Sequence, residues 1–122
     1  MKRLILEMGM GLDVHGGDYN KAATRAIHDA LRHSSLNLFK SLELDITKMD
    51  VRVTIGVQEP EKLDTDKLAA ELPRGRASVT AAFGGQNVTQ GESEPPHILA
   101  TAAIEAFYPI EPADSKLSKA EN

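Results

Sequence analysis

The chain has 122 residues, the length of one domain, and its 41% apolar fraction with 4% aromatics and no Trp leaves a core of Ala, Val, Ile, Leu and Met. A net charge of −4, with acids and bases interspersed, argues against nucleic-acid binding, which needs a clustered basic surface. The absence of cysteine excludes disulfides, thiolate metal sites and cysteine nucleophiles.

The apolar run after Lys2 and Arg3 is too short for a signal peptide, and no segment approaches the roughly 20 apolar residues of a membrane span. A soluble cytoplasmic protein is expected. Residues 2–8 alternate as a strand, with Leu4, Leu6 and Met8 on one side and Arg3, Ile5 and Glu7 on the other. Residues 9–17 follow, Gly-Met-Gly-Leu-Asp-Val-His-Gly-Gly, four glycines around one carboxylate and one imidazole. Glycine allows backbone shapes closed to other residues. Asp18 is placed to cap a helix from Tyr19 to about His33, whose stripe is Ala22, Ala23, Ala26, Ile27, Ala30 and Leu31.

Residues 36–48 have no single period and read as a connector with a short helical turn. Residues 51–58 form the clearest strand, alternating Val51, Val53, Ile55 and Val57 with Arg52, Thr54, Gly56 and Gln58. Asp64 caps a short helix over 65–72. A further strand covers 77–83, and a weak one lies near Val88. A last helix is expected from Pro96, since proline suits the first helical position. Its apolar face would be Ile98, Leu99, Ala102, Ala103, Ala106 and Phe107. The domain is read as residues 1–112, with a polar, disordered tail over 113–122.

These elements predict an α+β, two-layer sandwich in the order β-α-β-β-α, with two main helices on one sheet face, ferredoxin-like in outline. The second sheet face carries Thr54, Gly56, Ser78, Thr80, Ala82 and Gly84, all small. A solvent face usually carries more Lys and Glu, so a homo-oligomer is expected.

The glycine run lacks the third glycine of a dinucleotide fingerprint, where Val14 stands, and has no Walker lysine. No cofactor is indicated. In extended backbone Asp13 and His15 point the same way, so both could meet one substrate or metal. His15 would act as general acid or base, with Asp13 orienting it. Alternatively, Asp13 closes a turn and His15 bonds to backbone. His97 is the third candidate, in the first turn of the expected last helix, where the macrodipole favours neutral imidazole. Asp13, His15 and His97 together would make a two-histidine, one-carboxylate metal site. Gly9, Gly11 and Gly16 would let backbone approach a substrate. Glu7 is a further carboxylate if its side of the strand lines an interface pocket, and Arg74 and Arg76 form a basic tip for an anion.

Gly9-Met-Gly-Leu-Asp13-Val-His15-Gly16 resembles the GxGxDxHG motif of a conserved hypothetical family found in bacteria and, with an N-terminal extension, in plants. The Met-Asp-Val-Arg-Val segment at 49–53 and Pro96-His97 are similar as well. The resemblance implies that Gly9, Gly11, Asp13, His15 and Gly16 are the family's defining residues. It implies no activity, cofactor or substrate, and without the plant extension it points to a bacterial cytoplasmic protein. The leading expectation is an isomerase or hydrolase acting on a small polar ligand through Asp13 and His15, at a subunit interface. The alternatives are an anion- or metal-binding module, and a structural homo-oligomer in which the motif is architectural.

Overall fold

The computed structural model describes residues 1–32, 45–72 and 76–109. In chain order these form β1 (Lys2–Asp13), α1 (Tyr19–Arg32), β2 (Asp50–Val57), α2 (Thr65–Ala69), β3 (Arg76–Phe83), β4 (Gln86–Val88) and β5 (His97–Tyr108). Short 3-10 turns sit at Ile46–Lys48 and Pro60–Lys62. The α+β class holds. One sheet runs β1-β5-β2-β3, with β1 and β2 antiparallel to β5, and β3 parallel to β2. β4 pairs with β5 at His97–Leu99, beyond the last β2 partner, Thr101, and so takes β2's place there.

α1 begins where a short acceptor side chain predicts it. Asp18 Oδ1 accepts the Lys21 N–H at 3.1 Å, satisfying a free first-turn donor. Asp64 does the same for α2 through Lys67 N–H at 3.2 Å. The alanines of α1 are fully buried with Ile27. They lie against β1 and β5, while Val51, Val53, Ile55 and Val57 fill the rest of the core.

Three expectations change. The first strand does not stop at Met8. It continues through Gly9 and Gly11 to Asp13, so half of the glycine run is strand, not loop. Its faces are also exchanged: Ile5, Gly9, Gly11 and Asp13 turn toward α1, while Leu6, Met8, Met10 and Leu12 are exposed. Lastly, the segment after Pro96 is a strand. Its buried residues are Ile98, Ala100, Ala102, Ile104, Ala106 and Tyr108, a strict period of two. Alanines at 102, 103 and 106 satisfy a helical stripe equally well. The segment pairs with both β1 and β2, and those backbone bonds override alanine's helix preference. Among the described residues one long helix and one short one therefore cover the sheet, and the ferredoxin-like order, with a helix after Pro96, does not apply. The expected connector over 36–48 is described only from residue 45, with its short turn at Ile46–Lys48. Residues 36–44, Arg74 and the tail over 113–122 lie outside the described residues.

Candidate functional site

The motif begins as packing. A Cβ on Gly9 would meet the backbone of α1 at Ala30 N and, at 2.8 Å, at Ala26 O. One on Gly11 would meet Ala22 O and Ala26 N, with Arg25 C at 2.7 Å. Neither glycine has a positive φ; both are needed for space. Their missing side chains let α1 seat its alanines directly on the strand, which leaves no access for a ligand on that face. They were expected to let backbone approach a substrate; in the fold it is α1 that makes this close approach.

Asp13 ends β1 and is 2% exposed. Its Oδ2 accepts the Asp18 N–H at 2.7 Å, and the N–H groups of His15 and Gly16 also bond to the carboxylate. These donors hold its pKa below the ordinary 3.8, the Asp18 bond most of all, against the opposing effect of burial. Arg25 lies 3.7 Å from Oδ1. The loop is thus a backbone anion cradle filled by the chain's own carboxylate. Gly17, with φ 62°, completes the turn in a conformation that suits glycine. Gly16 is less constrained: a Cβ there would find only Asp13 Oδ2, at 3.7 Å.

His15 stands exposed on this loop. His97 is the first residue of β5, and its Nε2 lies 2.7 Å from Gln90 Oε1. Asp13 pairs with Ile98, so the alternation of β5 puts His97 on the other face of the sheet. There it lines an apolar pocket of about 200 Å3 with Leu12, Val14, Val88 and Leu99. Among the described residues no three His, Cys, Asp or Glu side chains group as a metal site. The three-residue set of Asp13, His15 and His97 is not brought together within the chain, because strand alternation sets His97 on the opposite face from Asp13.

Glu7 pairs with Ile104 and shares the α1 side with Ile5, half-buried, instead of turning to the open face. Arg76 is exposed at the start of β3, in the row of Asp50, Phe107 and Arg3. Ten residues of β1 separate that row from Asp13, roughly 33 Å of extended chain. Arg76 and Asp13 therefore do not meet within one chain.

Two sets of interactions come from segments that no local pattern connects. The outer edge of β1 is occupied by side chains of α1. Asp29 Oδ2 accepts the Met10 N–H at 3.0 Å, and Arg25 donates to Leu12 O at 2.6 Å. Arg32 holds Asp29 at 3.0 Å. At the start of α1, buried Tyr19 donates to Glu59 Oε2 at 2.7 Å and accepts from Asn87 Nδ2 at 2.6 Å. Burial, then Glu59, push the Tyr19 hydroxyl above its usual range. The Tyr19 and Lys62 bonds hold Glu59 below its own. A groove of about 580 Å3 separates α1 from α2. Its carboxylates are committed, Asp18 and Asp64 as helix caps and Glu71 to His28 at 3.0 Å.

The model of Lin0512_fam, a family of conserved hypothetical proteins, matches residues 3–106. The chain belongs to this family. The match takes in the whole motif, β2, β3 and β4, and all of β1 and β5 except Lys2, Phe107 and Tyr108. No curated protein matches. Among solved structures the chain is similar to an FtsZ-like protein of unknown function from Nostoc punctiforme PCC 73102. That protein is 32% identical over 88% of this chain and 97% of its own, with a TM-score of 0.78. Among the described residues, no helix is long and apolar enough to cross a membrane.

Proposed function

We propose that this member of the family is a structural homo-oligomer whose GxGxDxHG motif is architectural. One observation carries the reading. The motif residues of β1 are consumed inside the chain, Gly9 and Gly11 against α1 and Asp13 in its own loop. The alternate residues, Leu6, Met8, Met10 and Leu12, face outward. A strand that points glycine inward and Leu and Met outward keeps its apolar surface for a partner. Sedimentation equilibrium on the purified chain tests this. The expected mass is a multiple of 13.2 kDa; a monomer at tens of micromolar overturns it.

A second reading rests on His15. The Asp13 carboxylate binds the backbone N–H of His15, so it positions that residue while leaving the imidazole exposed. In this reading His15 exchanges a proton with a small polar substrate, in a site completed by the next subunit, and Asp13 is a positioning residue. His15→Ala separates the two. Unchanged mass and melting temperature, with loss of a ligand retained by the wild-type protein, favours the acid–base role. No effect on any of the three leaves the architectural reading alone.

A further inference from the structure

The open face of the sheet changes across its width. The register places Met8, Ala103, Thr54 and Thr80 in one row across β1, β5, β2 and β3, and Met10, Thr101, Gly56 and Ala82 in the next. Each row runs from one long apolar side chain to small ones. A third row reads Leu6, Glu105, Arg52 and Ser78. The face thus has a Leu/Met ridge along one edge and a trough along the other. Met8 and Met10 are 65% and 59% exposed. Leu6, Leu12, Val14 and Val88 extend the ridge into one apolar strip, exposed as well, on the order of the few hundred Å2 that marks an interaction site. A standard interface buries ~800 Å2 of each partner, which strip and trough together would supply.

We propose that a second copy of this chain covers the face around a twofold axis parallel to the strands, its ridge lying in the first copy's trough. The proposal rests on the oligomeric reading above and adds the arrangement. Two aligned sheets can meet face to face about a twofold axis in the interface that runs either across the strands or along them. An axis across the strands sets ridge on ridge and leaves a gap between the troughs. An axis along the strands exchanges the two edges and keeps each row at its own level. Met8 then faces Thr80 of the partner subunit, and Met10 faces Ala82 of the partner subunit. The third row brings opposite charges near each other. Glu105, held in its own chain by Arg3 at 3.1 Å, comes opposite the partner's Arg52, and Arg52, held by Asp50 at 3.1 Å, comes opposite the partner's Glu105. At the rim the next row sets Arg3 opposite the partner's Arg76. The edge of β1 supports a face-to-face contact over strand addition, because Asp29 and Arg25 already occupy its Met10 and Leu12 backbone groups.

The chain has no cysteine, so introduced thiols report contacts directly. Met8→Cys and Thr80→Cys chains are purified separately, mixed to allow subunit exchange, and oxidised. The expected product is the mixed Met8→Cys/Thr80→Cys disulfide, at least tenfold over either homotypic product. A dominant Met8→Cys homodimer, or no mixed disulfide in a sample that sedimentation shows to be oligomeric, overturns the arrangement and leaves the oligomer standing. A monomeric wild-type chain overturns both. Both positions are exposed, and circular dichroism of the reduced variants checks that the fold is kept.

Discussion

Gly11 and Gly16 share a motif but not a constraint. A methyl on Gly11 would enter the backbone of α1 at Ala22 and Ala26, where no rotamer change relieves it. Gly11→Ala is expected to cost about 3 kcal/mol, at the upper end of overpacking penalties, and to lower the melting temperature sharply. Gly16→Ala meets only ordinary contact and should stay within about 0.5 kcal/mol. Thermal melts of the two variants check the contrast; equal losses would remove the packing explanation. Asp13 carries the other residue-scale prediction. Its native pKa lies below 3.8, so just under that value the unfolded chain binds the proton more readily. Stability therefore rises with pH there, is complete above about pH 5, and is lost as pH falls through the native pKa. Asp13→Asn, which puts an N–H2 against backbone donors, should be about 2 kcal/mol less stable at pH 7. Its deficit should shrink toward pH 3, as urea unfolding across that range would show.

β1 is an edge strand that is protected instead of buried. Asp29 and Arg25, one helical turn apart on α1, bond the Met10 N–H and the Leu12 carbonyl. Unpaired edge groups invite pairing with another chain. The double variant Arg25→Ala/Asp29→Ala is expected to keep its circular dichroism spectrum and to aggregate on standing. Static light scattering against the wild type measures this, and no rise would show that the edge needs no guard. α1 is coupled to the rest of the fold by its start as well. Tyr19 links Glu59 and Asn87, from two other segments, through one hydroxyl.

Across the molecule, the two faces of the sheet are used in opposite ways. One is closed by alanine-on-glycine contact with α1, which brings backbone close to backbone. The other keeps Leu6, Met8, Met10 and Leu12 in solvent beside a surface of small residues. Met8→Lys/Met10→Lys should leave the subunit fold intact, since neither side chain enters the core. The double variant should weaken association at least tenfold, because interfaces depend on a few central apolar side chains. Concentration-dependent sedimentation checks it, and an unchanged mass would place the interface elsewhere.

Capping and alternation are local, and they located α1, α2, β2 and β3 to within a few residues. Asp18 and Asp64 announce their helices, and valine at every second position announces β2. The motif was equally visible as a place where side-chain chemistry is unusual. Its meaning was not, since Gly9 and Gly11 look the same whether they bend a loop or admit a helix. Only the approach of Ala22, Ala26 and Ala30 decides between these. The same limit explains β5: alanine fits a period of two and of 3.6, and its neighbours β1 and β2 selected the first. The separation of Asp13 from His97 followed from that choice, because a strand sends adjacent residues to opposite faces where a helix would not. Short-range hydrogen bonding and periodicity are written in neighbouring residues. Which face is covered, and which groups share a space, depends on contacts between segments tens of residues apart.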